Sequence, residues 1–152
     1  MIVCFIGIKL TQFKLINTIH TMISANSKPK DDLVSCSMFL MNHYASIRQI
    51  VQVIFDEQYT IVVPSFKFDV LDIMISLEKY KCFALFCYPK ILLNMVTHPD
   101  RKKYDFSNLK LIFSGGQLAP LDLILKTKTE LNVQLFFVAY SSTEYNNCNS
   151  SD

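Results

Sequence analysis

Glycine is scarce in this chain. There are three in 152 residues, and two of them are adjacent, Gly115-Gly116. No G-x-x-x-x-G-K-[ST] run is present, so no Walker-type phosphate loop can be assigned, and GxSxG and HExxH are missing as well. The five cysteines, Cys4, Cys36, Cys82, Cys87 and Cys148, form no CxxC pair, and the three histidines stand apart from them. That excludes a structural zinc site of the usual spacing. Most of these cysteines sit in apolar runs and read as small buried hydrophobes in a reducing compartment. No apolar run reaches the ~18 residues of a membrane-spanning helix. Residues 1–8 are apolar but end at Lys9, with no basic start and no small-residue cleavage site, so no signal peptide is expected. Charge of one sign is lacking too. Fifteen Lys and Arg against thirteen Asp and Glu leave +2, and the densest cluster, Arg101-Lys102-Lys103, reads as a solvated loop. Nucleic acid is therefore not an expected partner.

What the chain does have is apolar material: 51% hydrophobic residues against 18% charged. That is enough for a sizeable core in one domain, or in a piece of a larger one. The pattern alternates between the two periodicities. Residues 11–25 read as a helix with Phe13, Ile16, Ile19 and Ile23 on one face. Residues 33–40 read as a strand and 44–55 as a helix, with Ile47, Ile50, Val51 and Ile54 inward. A short β-branched strand at 60–63 stops at Pro64. Asp69 is a suitable N-cap for a helix over 70–80. A strand follows at 82–86, then a helix opened by Pro89 and ending near Thr97. Strands at 109–113 and 133–138 flank a helix at 121–131. The Asn/Ser-rich tail beyond Glu144 reads as frayed. Strands alternating with helices predict an α/β fold, an open parallel sheet of about five strands flanked by helices.

In such a sheet, ligands bind at the carboxyl ends of the strands. The segments falling there are Asn42-His43, 64–68, Cys87-Tyr88-Pro89, Gly115-Gly116-Gln117 and Tyr140-Ser141-Ser142-Thr143-Glu144. The glycine pair permits a positive φ and close approach of a ligand to the backbone, or makes a plain strand-to-helix turn. The last segment offers an aromatic face, hydroxyls for phosphate oxygens and a carboxylate for a hard cation such as Mg²⁺, or is a polar loop leaving the sheet. His43 after an apolar strand reads first as structural. No Ser/His/Asp arrangement is present.

Taken together, Ser114-Gly115-Gly116-Gln117-Leu118-Ala119-Pro120 and Tyr140-Ser141-Ser142-Thr143-Glu144 resemble the S-G-G-A-P-L and Y-G-x-T-E motifs of the AMP-forming adenylating superfamily. That superfamily comprises acyl-CoA synthetases, firefly-type luciferases and peptide-synthetase adenylation domains, and the likeness is closest to its medium-chain acyl-CoA ligases. It covers residues 7–144, leaving 1–6 and 145–152 as non-matching ends. Gly7-Ile8-Lys9-Leu10-Thr11-Gln12 resembles G-[VA]-x-L-[ST]-H, Leu40-Met41-Asn42-His43 resembles Pro-Leu-[Phe/Tyr]-His, and Cys87-Tyr88-Pro89 falls where the family has [Gly]-[Thr/Val]-Pro. The resemblance implies that Gly115, Gly116 and Gln117 pack beside an adenine and that Tyr140 stacks near it. It implies that Ser141 and Thr143 belong to the nucleotide site, with Thr143 at the α-phosphate. Glu144 would help to hold Mg²⁺, and His43 would border an acyl tunnel. ATP or AMP, Mg²⁺, CoA and a fatty acid are the implied small molecules. A mitochondrial matrix setting comes from the resemblance alone.

The sequence also departs from that pattern. Where the family's Ser/Thr/Gly-rich phosphate loop and its lysine should precede Gly7, the chain reads Met1-Ile2-Val3-Cys4-Phe5-Ile6. The motif glycine is Ser141, the helix-opening histidine is Gln12, and the glycine expected three residues after His43 is Ser46. The family's ribose-binding Asp, hinge and C-terminal lysine domain have no counterpart here. The expectation is thus a fragment or degenerate member of an AMP-forming acyl-CoA synthetase, inactive alone. The alternative is a non-catalytic nucleotide- or acyl-binding or interaction module.

Overall fold

The computed structural model describes residues 11–13, 16–17, 33–40, 43–55, 59–64, 69–140 and 149–151. Six strands, β1 (Leu33–Ser37), β2 (Tyr59–Val62), β3 (Ala84–Cys87), β4 (Leu111–Gly115), β5 (Leu135–Tyr140) and β6 (Asn149–Ser151), form one sheet in the order β2-β1-β3-β4-β5-β6. The first five are mutually parallel, and β6 pairs antiparallel with β5. Four helices connect them: α1 (Tyr44–Phe55), α2 (Val70–Lys79), α3 (Pro89–Thr97) and α4 (Leu121–Leu131). Of the helix expected at 11–25, Gln12, Phe13, Ile16 and Asn17 are helical, and the remainder lies outside the described residues.

Local chemistry sets the helix ends. Leu71 N–H donates to Asp69 Oδ1 at 2.9 Å, the cap expected of that aspartate. Pro89 occupies the first turn of α3, where its missing N–H costs nothing. α4 stops at Asn132, whose φ of 51° is left-handed, a conformation that asparagine tolerates.

Strand alternation sorts the sheet into two faces. Cys36, Leu85, Cys87, Ile112 and Phe136 point to one of them, against Ile73, Met74 and Leu77 of α2, Leu92, Met95 and Val96 of α3, and Leu123 and Leu131 of α4. Leu92, Met95, Ile73 and Ile112 are fully buried there. On the other face Ser37, Phe86, Phe113 and Phe137 stand in register across four strands. Their phenyl rings stack, 4.8 Å apart and 6° from parallel for Phe86–Phe113, and 5.0 Å and 17° for Phe113–Phe137.

Helix α1 covers the β1/β2 side of this second face, and there the sequence reading is corrected. Ile47, Ile50 and Ile54 point outward, Ile54 with 70% of its surface exposed, while Ser46, Gln49 and Gln52 are buried. The sheet explains the reversal. Buried Ser35 and Ser37 lie on this face, and Ser37 Oγ donates to Gln49 Oε1 at 2.7 Å. A polar stripe on the strand is met by the polar stripe of the helix, because a buried hydroxyl needs a partner.

Three further corrections concern strand limits. β3, β4 and β5 run toward the carboxyl side of the expected 82–86, 109–113 and 133–138. Lys81, at φ 49°, and Cys82, whose N–H donates to Leu77 O, belong to the end of α2. Gly115 is the last residue of β4 rather than part of the turn, paired with Ala139. The tail is not frayed throughout, since Asn149–Ser151 pairs with Val138–Tyr140.

Candidate functional site at the carboxyl edge

The crossover β1-α1-β2 leaves the sheet in one direction, and the chain returns past β1 to lay down β3, β4 and β5 in the other. The reversal lies between β1 and β3, and a crevice at such a switch point is where an open α/β sheet receives its ligand. Two aromatic side chains meet there. Phe39, just beyond β1, and Tyr88, just beyond β3, are edge-to-face with centroids 5.0 Å apart. Phe39 is held by a hydrogen bond from Ser46 Oγ to its carbonyl at 3.1 Å. Tyr88 is fixed in extended backbone, φ −83° and ψ 151°, as the residue before Pro89.

On the outer side of Phe39 stands His43, its ring stacked at 5.6 Å and 21°. Its Nδ1 accepts from Ala45 N–H at 3.2 Å, so His43 serves as the N-cap of α1. On the inner side of Tyr88 lies Gly116. Its φ is +78°, and a Cβ there would come within 3.0 Å of Tyr88 Cε1 and 3.2 Å of Cδ1. The glycine is required twice, by the backbone conformation and by the ring against it. Burial raises the Tyr88 phenol above the ordinary tyrosine value, so it stays protonated and uncharged.

Gly115 ends β4 beside Ala139 of β5. A Cβ on Gly115 would stand 2.9 Å from Ala139 O, so the neighbouring backbone leaves no room for a side chain here. Gln117 follows, exposed, and Tyr140 closes β5 with 81% of its surface exposed. The structure thus brings Gly115, Gly116, Gln117 and Tyr140 to neighbouring strand ends, with His43 on the same edge across Phe39 and Tyr88. Ser141, Thr143 and Glu144 lie outside the described residues. Among the described residues, no group of three His, Cys, Asp or Glu side chains is placed to hold a metal ion, and no helix is long and apolar enough to cross a membrane.

Tyr88 belongs to the Cys87-Tyr88-Pro89 segment that the sequence placed at a strand end, whereas Phe39 was not among the residues that the sequence singled out. Phe39 reads as the end of a strand, and Tyr88 as the residue before a helix-opening proline. The strand order that makes them neighbours is what no local pattern carries.

The likeness of this chain to known proteins runs in one direction. No protein-family model matches it. Over 83 residues it is 34% identical to the 3-[(3aS,4S,7aS)-7a-methyl-1,5-dioxo-octahydro-1H-inden-4-yl]propanoyl:CoA ligase of Rhodococcus jostii, covering 55% of this chain and 16% of that enzyme. Over 85 residues it is 25% identical to the mitochondrial medium-chain acyl-CoA ligase ACSF2 of Danio rerio, covering 56% of this chain and 14% of the relative. In fold it superimposes on a long-chain-fatty-acid-CoA ligase, FadD1, of Archaeoglobus fulgidus. The TM-score is 0.74 at 21% identity, over 89% of this chain and 28% of that one. The chain therefore spans about a sixth of the length of these two curated relatives. Sequence relatives that are CoA ligases, together with a fold shared with a fatty-acid-CoA ligase, carry the resemblance to the AMP-forming adenylating superfamily.

Proposed function

We propose that this chain forms part of the nucleotide- and acyl-binding portion of an AMP-forming acyl-CoA ligase. Such an enzyme joins ATP and a fatty acid to an acyl-adenylate and then passes the acyl group to CoA. One observation carries the reading. Gly115 pairs with Ala139, so the glycine turn and the Tyr140 segment leave neighbouring strands at one edge. ATP, when bound, supplies the electrophilic α-phosphate. In this reading Gly115, Gly116 and Gln117 form the backbone wall beside the adenine, and Tyr140 offers its exposed ring as the stacking face. Thr143 addresses the α-phosphate, Ser141 belongs to the nucleotide site, Glu144 assists Mg²⁺, and His43 borders the acyl group. The fit to a planar base rests on the exposed backbone at Gly116 and Gln117 and on the exposed Tyr140 ring. The Mg²⁺ assignment rests on the resemblance of Glu144 alone.

The family's groups that hold the β- and γ-phosphates, and its lysine that stabilises the transition state, have no counterpart in these residues. Losing one electrostatic group of that kind costs ~10²–10³ in rate. In this reading the residues given bind nucleotide and acyl group and do not by themselves turn them over. AMP titrated into isotope-labelled protein should shift the amides of Gly116 and Tyr140, and Tyr140→Ala should weaken the response. Carboxylate-dependent pyrophosphate release from MgATP should not exceed that of a Glu144→Ala control. An unshifted Gly116 at saturating AMP would remove the nucleotide reading.

The outward apolar stripe Ile47, Ile50 and Ile54 favours a second reading, an interaction module. Self-association abolished by Ile54→Lys, together with silence toward AMP, would support it.

A further inference from the structure

Tyr88 lies in the crevice at the switch point, against Phe39 and on the edge where the reading above puts the acyl group. β3 lies between β1 and β4 in the sheet, and the Tyr88 ring spans from one neighbour to the other. Its Cε1 and Cδ1 lie against the bare Cα of Gly116 beyond β4. It meets Phe39 beyond β1 edge-to-face at 5.0 Å, and Phe39 in turn stacks on His43. Three rings and one glycine thus form a continuous wall across the ends of three strands. Backbone adjustment cannot open it. Pro89 has its own φ locked by its ring and disfavours the helical region for Tyr88 before it, and the Met38 N–H bond to Phe86 O at 2.9 Å ties β1 to β3 directly beneath.

We infer that Tyr88 determines which acids this site accepts: its ring closes the crevice between β1 and β4, so a short carboxylic acid fits and a medium-length alkyl chain does not. The inference rests on the acyl-site reading given above and narrows it. An acid small enough to lie on the outer face of the ring keeps its carboxylate near the β4 and β5 ends. A longer one must displace Tyr88 from contacts on both sides.

The test is the dependence of affinity on chain length, read on the complete chain by saturation-transfer NMR with butyrate, hexanoate, octanoate and decanoate. Wild type and Tyr88→Phe, which keeps the ring, should show no gain in affinity with length. Tyr88→Val, which removes the ring and keeps the extended backbone, should gain about fourfold per added methylene. Circular dichroism confirms that each variant is folded. A rise with length in the wild type matching that of Tyr88→Val would overturn the inference, and so would a flat response in both. The AMP titration separates the two levels. With AMP still shifting Gly116 and Tyr140, a flat response removes the role of Tyr88 and leaves the site reading standing. With no response to AMP and to any carboxylate, both fall.

Discussion

Ser37 on β1 donates its hydroxyl to the side-chain oxygen of Gln49 on α1, 2.7 Å away and buried on both sides. This contact decides which face of α1 points inward, against the rule that the apolar face does. Ser37→Ala leaves the Gln49 amide buried and short of a partner, and should cost about 1–3 kcal/mol in urea unfolding. Ile54→Lys, on the outward stripe, should change stability by no more than about 0.5 kcal/mol. The reverse ranking would mean that α1 sits the other way round.

The two adjacent glycines should answer differently to alanine. At Gly115 the new methyl meets the backbone oxygen of Ala139 at 2.9 Å, and β4 and β5 must part to admit it, at about 1–3 kcal/mol. At Gly116 the cost is the left-handed φ, about 1–2 kcal/mol, plus contact with the Tyr88 ring. Tyr88→Val relieves the second component and not the first. In a double-mutant cycle Gly116→Ala should therefore couple to Tyr88, whereas Gly115→Ala should not.

Cys36, Cys82 and Cys87 are free thiols with no exposed surface. Burial alone pushes the Cys87 thiol far up, and a hydrogen bond to Cys82 followed by burial does the same for Cys36. A folded-state value above the unfolded one, about 8.5, means that the unfolded chain releases its proton first. The stabilisation is then complete below about pH 8.5 and declines as the pH rises toward the folded-state value. Unfolding free energy measured from pH 7 to 10 should fall more steeply for wild type than for Cys87→Ala. A thiol reagent should reach these three cysteines at the rate of unfolding.

Asp69→Ala removes the acceptor for Leu71 N–H at the start of α2. A loss of about 1 kcal/mol is expected, and Asp69→Ser should recover most of it. Equal losses from alanine and serine would place the effect elsewhere than in the cap.

How much of this was legible depends on what each residue needs from its neighbours. Asp69, Pro89 and the 3.6-residue apolar spacing define α2, α3 and α4 locally, and α4 falls at 121–131 as expected. The five parallel strands follow from the alternation, and so does the adjacency of β4 and β5. The facing of α1 was not legible, because it depends on serines in a strand that the helix meets only after folding. Nor was β6. Asn149, Ser150 and Ser151 have no strand preference of their own, and their pairing is set by the open edge of β5. Gly115 was read as turn because glycine usually marks one, whereas here it stays in the strand because Ala139 leaves no room for a side chain. At the site, Gly115, Gly116, Gln117 and Tyr140 came from sequence. Tyr88 also lay in a strand-end segment named from sequence, but Phe39 and its contact with Tyr88 required the strand order, which brings residues on either side of two helices together.

The stacked rings of Phe86, Phe113 and Phe137 give the molecule an optical signature of its own. The chain contains no tryptophan, so no indole band overlies the near-ultraviolet spectrum. Phenylalanine fine structure falls at shorter wavelengths than the tyrosine bands. Rings held 4.8 and 5.0 Å apart in a fixed sense share their excitations, and a chiral stack of this kind produces dichroism that isolated rings do not. Each ring belongs to a different strand, so the signal exists only while β3, β4 and β5 remain in register. Far-ultraviolet dichroism follows the helices and near-ultraviolet dichroism follows side-chain packing. The two therefore separate loss of the sheet's registry from loss of the helices, with no label attached.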